Sequence, residues 1–373
     1  MDYEQQRKAG STSSSSSSSS CSVPLLESSS KGTASIAQTL GNIIVSVIGT
    51  GVLGLPFAFR IAGWLAGLFG VTIVGLCSYY CMLLLVQCRR KLSSEEESMD
   101  PKSYGDLGYK CLGRTGRYVT EFLILIAQCG GSVAYLDIQK VVGGEFSFRD
   151  RTAITSNIGG LPFAGGMAVF CFEGFGMTLA LEASMKDKSS FSKLLATAFT
   201  GITLLYASFG FFGYMAYGDQ TKDIITLNLH HNWTSIAVQV GLCLGIIFTF
   251  PIMVHPINEI VERNLGKGKW FRKLHHNSEY STTRIGKYAM YMTRAILVVV
   301  LAVLASYVPG FGVFVSLVGS TVCALISFVL PATFHLVLFG SSLHFWQRAL
   351  DICILSCGLL FAAYGTYNSV VGV

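Results

Sequence analysis

The sequence predicts an all-α polytopic membrane protein, and three observations carry that prediction: its composition, a series of long apolar windows, and the placement of its basic residues. Of 373 residues 51% are hydrophobic and 13% charged, with a mean hydropathy of +0.53. In soluble domains about a quarter of the residues are charged. The net charge of +6 suggests an anionic partner only until the basic residues are placed relative to the membrane.

Taken in order, residues 1–34 form an expected disordered, cytosolic, Ser-rich tail. They hold the run Ser13 to Ser20 and few apolar residues, too few to bury a core. The serines are phosphorylation candidates, although a solvated tail is the simpler reading. "VPLLESS" from Val23 resembles a dileucine sorting signal but lacks an acidic residue four positions ahead of Leu25. The transporter domain is expected over 35–373. Windows of the length that crosses about 30 Å of hydrocarbon fall at 38–59, 64–88, 118–136, 162–182, 194–217, 234–255, 288–308, 311–339 and 346–370. That makes about nine spans. The third is the weakest, because Glu121 and Asp137 bracket it closely.

With a cytosolic N-terminus, alternation places the basic loops 88–118 and 256–287 inside. Of the 27 Lys and Arg residues, only Arg60, Lys140, Arg149, Arg151 and Lys222 then fall on the opposite side. Such an excess inside is the accepted sign of orientation. Asn232, in the sequon "NWT", lies on the non-cytosolic side as a glycosylation candidate. Tyr206, Tyr214, Tyr217 and Trp346 read as interfacial anchors at span ends.

Two windows carry helix breakers. "IGTGVLGLP" offers Gly49 and Gly51 around Thr50, and "FCFEGFGM" places Glu173 beside Gly174 and Gly176. Irregular backbone survives at membrane depth only where protein, water or ligand pairs it. Two such segments, one in each half of a chain, point to the midplane site of a secondary transporter. Glycines also serve close helix packing, and either cluster alone would favour that explanation. Glu173 shifts the balance, since an intramembrane acid costs about 2.5–3.5 kcal/mol on insertion scales and is rarely retained without function. Desolvation disfavours its charged form, which makes it a proton-coupling candidate. Half-helix N-termini suit a carboxylate and C-termini an ammonium, so a zwitterion such as an amino acid fits both.

"IGTGVLGLPFAFRIAGW", "FCFEGFGMTLALEASM" and "GYMAYGD" resemble the amino acid/auxin permease family, and within it the plant vacuolar amino acid transporters. The resemblance runs from about Thr33 to Val373. It implies eleven spans, with two inverted five-helix repeats and with the first and sixth helices unwound at the substrate site. It also implies a vacuolar membrane location and export of neutral amino acids to the cytosol. Carried over residue by residue, substrate would meet Asn42, Gly49, Thr50 and Gly51 on the first helix, and Phe172, Glu173 and Gly174 on the second broken one.

Three departures accompany it. Tyr80 stands before Cys81 and Met82, where proton-coupled members carry a histidine, and tyrosine does not titrate near neutral pH. Val45 stands where sodium-coupled members carry an asparagine. "GGSVAYL" runs directly into "DIQKVVGGEFSFRDRTAITSNIGGLPFAGG", so the fourth helix and most of the fifth are missing. The first repeat is thereby shortened to about 38–136, with a non-cytosolic connector at 137–161, a second repeat at 162–339 and a last helix at 346–370.

The leading expectation is a secondary carrier of neutral amino acids, needing no cofactor and binding no nucleic acid. The alternative is a shortened, non-transporting isoform with a regulatory or sensing role. Nothing favours an enzyme, because no nucleophile–base constellation, phosphate loop or metal-ligand spacing is visible among the eleven cysteines and seven histidines. A channel is disfavoured by the lack of a polar filter segment.

Overall fold

The computed structural model describes residues 33–95, 103–134, 151–157, 159–228, 285–306, 310–340 and 342–371, with Phe250, Val254, Ile257, Asn258, Ile260 and Val261 between them. Those residues build a helical bundle without a named strand. Five of its helices are long and apolar enough to cross a membrane, and a sixth candidate is a bent pair. The expected windows 118–136 and 288–308 are not among them, the latter holding only a shorter apolar stretch, Tyr291–Leu304, and 234–255 lies almost wholly outside the described residues, as does Asn232.

The first span is α1 (Ile36–Val47) followed by α2 (Leu55–Ala62), bent by 49° between them. Ser35 starts α1 with a reciprocal cap, its hydroxyl accepting from the Gln38 amide and the Gln38 side chain accepting from the Ser35 amide. Helix α3 (Trp64–Glu95) runs beyond the expected window 64–88, and α4 (Tyr104–Ala134) is kinked at Gly113, where φ is 68°. The second interrupted span is α5 (Gly160–Cys171) and α6 (Phe175–Ser184), followed by α7 (Phe191–Tyr217).

Helix α8 (Ile285–Ser306) precedes a long rod made of α9 (Phe311–Val318), two wide π turns and α10 (Leu330–Phe339). The expected window 311–339 thus corresponds to one continuous span. Helix α11 (Phe345–Val371) closes the chain.

Spans α1–α2, α3, α5–α6, α7 and the α9–α10 rod share one apolar core. Outward faces remain apolar, as at Phe69, Ile73 and Leu76 on α3, the pattern of a helix whose other solvent is lipid. The turn from α2 to α3 is sealed by the connector. Trp64 and Leu65 donate to Thr152 and Ala153, and Thr155 donates back to Ala62. Gly63 there has φ 92° and lies so close to Ala153 that a Cβ would stand 2.5 Å from its carbonyl oxygen, so glycine is required.

At the other end, α3 is tied to α6 by charge. Glu182, 1% exposed, faces Arg89 at 3.4 Å and Arg90 at 2.9 Å, while Arg89 also donates to the Leu179 carbonyl at 3.0 Å. Ala34, just before α1, pairs with the end of α6 through Ser184 and Lys186. Removing one partner from a buried ion pair strands the other charge, at about 3–5 kcal/mol. Glu182→Ala is therefore expected to lower the detergent Tm strongly. Arg90→Ala, whose side chain is 43% exposed, is expected to cost about 1 kcal/mol or less. Thermal unfolding of the two variants beside the parent checks the ranking.

Candidate functional site

The two breaks lie against each other. In the first, α1 ends at Val47, Ile48 and Gly49 are extended, and a tight 3-10 turn over Thr50–Gly54 leads into α2. In the second, α5 ends at Cys171 and α6 starts at Phe175, with Phe172 to Gly174 between them. A Cβ built on Gly51 would stand 2.9 Å from the Phe170 ring and 3.1 Å from Cys171 Sγ. One on Gly174 would stand 2.8 Å from Val47 Cγ2. Glycine at these two positions lets each break approach the other's helix end, where a side chain would hold them apart.

Both helix ends present carbonyls that the break has released from the helical ladder. Tyr206, from the middle of α7, reaches both. Its hydroxyl is 3.0 Å from the Val47 carbonyl oxygen and 3.0 Å from that of Cys171. The ring is fully buried and packs edge-on against Phe172 at 5.0 Å. This corrects the expectation of an interfacial anchor, because Tyr206 stands three turns before the end of α7 and faces inward. Tyr214 is likewise buried, its hydroxyl accepting from the Thr152 amide at 3.1 Å. Trp346, 81% exposed at the start of α11, has the placement an anchor needs.

The other expected site residues divide. Gly49, Thr50 and Gly51 form the first break through their backbone, and the Thr50 side chain lies outside the described residues. Phe172 presents only backbone to the second break, since its fully buried ring stacks on Phe199 at 6.1 Å. Glu173 is half-buried, and its carboxyl makes no hydrogen bond or ion pair with another described residue. Asn42 is half-buried on α1, six residues before Ile48 and so about 9 Å along the helix from the break.

Chemically, the site offers helix C-terminal carbonyls at Val47 and Cys171, the N-terminal amides of α6, and Glu173, an acid unpaired among the described residues. Carbonyl dipoles at a C-terminus attract a cationic head, and free amides attract an anion. Sequence reasoning missed Tyr206 although a signal was present: a tyrosine in mid-window, not at its edge, needs a partner for its hydroxyl.

The chain matches the family described as "Transmembrane amino acid transporter protein" over residues 32–140 and 136–371. It belongs to that family. Among relatives of this chain, "Amino acid transporter ANT1" of Arabidopsis thaliana is 54% identical over 419 residues, covering 94% of this chain and 97% of the relative. "Amino acid transporter AVT3B" of the same plant is 34% identical, covering 94% of this chain and 96% of the relative. "Vacuolar amino acid transporter 4" of Saccharomyces cerevisiae is 25% identical, covering 92% of this chain and 59% of the relative. The family match falls in two stretches that join around 136–140, and the 419-residue alignment is longer than the chain itself. That alignment therefore carries positions that this chain does not fill, and the family match divides where the sequence runs from "GGSVAYL" into "DIQKVV".

Two substitutions test the contact between the breaks. Tyr206→Phe removes the donor from two buried carbonyls and is expected to destabilise by about 1–3 kcal/mol, measured by denaturation in detergent. Gly174→Ala is expected to cost about 1–3 kcal/mol by overpacking, and the added change Val47→Ala is expected to restore much of it. Simple additivity of the two losses would show that these side chains do not meet.

Proposed function

We propose that this chain is a secondary carrier that moves neutral amino acids across the vacuolar membrane, from lumen to cytosol, with Glu173 taking and releasing a coupled proton. The observation that carries this reading is the facing pair of helix breaks. Their carbonyl ends suit the ammonium of an amino acid and their amide ends its carboxylate, while the one acid at the breaks, Glu173, is given to the proton and leaves no charge to select a charged side chain. The printed names of the plant and yeast relatives, amino acid transporters and a vacuolar amino acid transporter, support the substrate class and the membrane. In this reading Asn42 and the Thr50 hydroxyl line the approach to the backbone site, Glu173 serves as the proton carrier because no cation among the described residues holds it charged, and the N-terminal tail faces the cytosol.

A second reading rests on the two-part family match. If the stretch missing near residue 136–140 corresponds to the fourth and most of the fifth family helix, the helices that rock during alternating access have lost part of their support. The chain would then bind substrate or a full-length relative without transporting.

Uptake of labelled neutral amino acids into proteoliposomes, with and without a pH gradient, separates the readings. Substrate-selective flux is expected, and Glu173→Gln is expected to abolish its dependence on the gradient. A folded, inserted chain that gives no flux, beside a version with two restored helices that does, would establish the regulatory form.

A further inference from the structure

A second set of ionisable groups lies inside the bundle, away from the breaks. Asp351, in the second turn of α11, is fully buried. Its Oδ2 is 2.6 Å from Nδ1 of His335 on α10, and its Oδ1 accepts from the Tyr80 hydroxyl on α3 at 3.0 Å. His335 is 3% exposed. One carboxyl group thus joins the consecutive helices α10 and α11 to α3, which lies far away in sequence.

A buried carboxylate needs compensation for lost hydration, and two hydrogen bonds from uncharged donors supply only part of it. The chemistry of the pair allows two states with the same contacts. With a neutral imidazole donating from Nδ1, the cluster carries one negative charge. When Nε2 gains a proton, the cluster becomes a neutral ion pair, and the Nδ1–H to carboxylate bond, already assisted by the acceptor's charge, joins two opposite charges. Nε2 makes no hydrogen bond with another described residue, so a proton can arrive there without displacing a partner. Histidine is the side chain whose charge ordinarily changes between about pH 5 and pH 8.

The surrounding groups do not already neutralise it. From α3 the facing titratable groups are Tyr80, Cys81, Cys88 and Lys91, and from α4 Tyr104. Lys91 is spent on the Leu338 carbonyl at 2.6 Å and the Phe339 ring at 4.4 Å, and Arg348 on α11 itself is exposed. Among the described residues no Lys or Arg pairs with Asp351.

The position gives the protonation a mechanical consequence. His335 sits in the same rod, α9 to α10, that packs along α5 just ahead of the second break. There Ser316 donates to the Phe163 carbonyl at 2.9 Å, and Gly319 meets Gly166 backbone to backbone. A change in how firmly α10 is held to α11 and α3 would therefore bear on α5, the helix that ends at Cys171 just before Glu173. We propose that His335, Asp351 and Tyr80 form a proton-binding site, with His335 Nε2 as the acceptor, that sets the strength of a three-helix latch and so makes the transporter respond to pH. The effect on flux rests on the carrier reading, whereas proton binding at the latch does not.

The test uses the full chain in detergent and in proteoliposomes, from about pH 5 to about pH 8, with His335→Gln and Asp351→Asn beside the parent. In detergent, the parent Tm is expected to change across this range by an amount that both variants lose. If either folded variant is less stable yet keeps the parent's pH-dependent difference, the cluster is structural and the proposal falls. Asp351→Asn keeps the shape of the site without its charge, and so provides the measurement should His335→Gln fail to fold. In proteoliposomes, exchange of labelled alanine at equal pH on both sides is expected to lose its pH profile in His335→Gln while remaining substrate-selective; an unchanged profile would overturn the proposal. A chain that exchanges nothing but shows the Tm result would refute the carrier reading and leave the proton site standing.

Discussion

A backbone carbonyl released from its helix inside hydrocarbon must find a donor, and in this chain two such carbonyls converge on one hydroxyl. Tyr206 meets Val47 and Cys171 at 3.0 Å each. Because each unpaired group would cost several kcal/mol in lipid, the breaks are tolerable only while α1, α5 and α7 keep their relative positions. The rest of the bundle serves that requirement. Gly51 and Gly174 allow the close approach, the Phe172 ring is clamped between Phe199 and Tyr206, and α3 backs the group along its length.

Three acids inside the bundle illustrate three solutions to one electrostatic problem. Glu182 is matched by two guanidiniums and acts as a fixed tie between α3 and α6. Asp351 is matched by a histidine and a tyrosine, which tie α11 to α10 and α3. Glu173 has no partner among the described residues and lies at a break, where a ligand has most to gain by meeting it. Burial alone therefore does not rank these residues by function; the identity of the partner does.

The division of the family match near 136–140 bears on scaffolding more than on the site itself. The pieces that form the breaks lie at 36–62 and 160–184, on either side of the junction near 136–140, and their mutual packing does not pass through it. Support from further out is where the loss would be felt. In a membrane helix pair held by van der Waals contact and a few hydrogen bonds, rigid-body motion depends on such outer neighbours.

The helical class, the membrane spans flanking each break, the breaks themselves and family membership were all legible from the residues, because apolar window length, glycine and an intramembrane acid are local properties. The final 27-residue helix and the 311–339 rod lie close to their expected bounds for the same reason. What local pattern could not express was partnership. Tyr206 reads as a membrane anchor until tertiary packing turns it inward. His335 and Asp351 are 16 residues apart on different helices, with no motif spacing, and Tyr80 joins them from 271 residues before Asp351. Hydrogen bonds have a reach of about 3 Å and ignore sequence separation, so which polar groups satisfy one another inside the bundle was decided only when the helices packed.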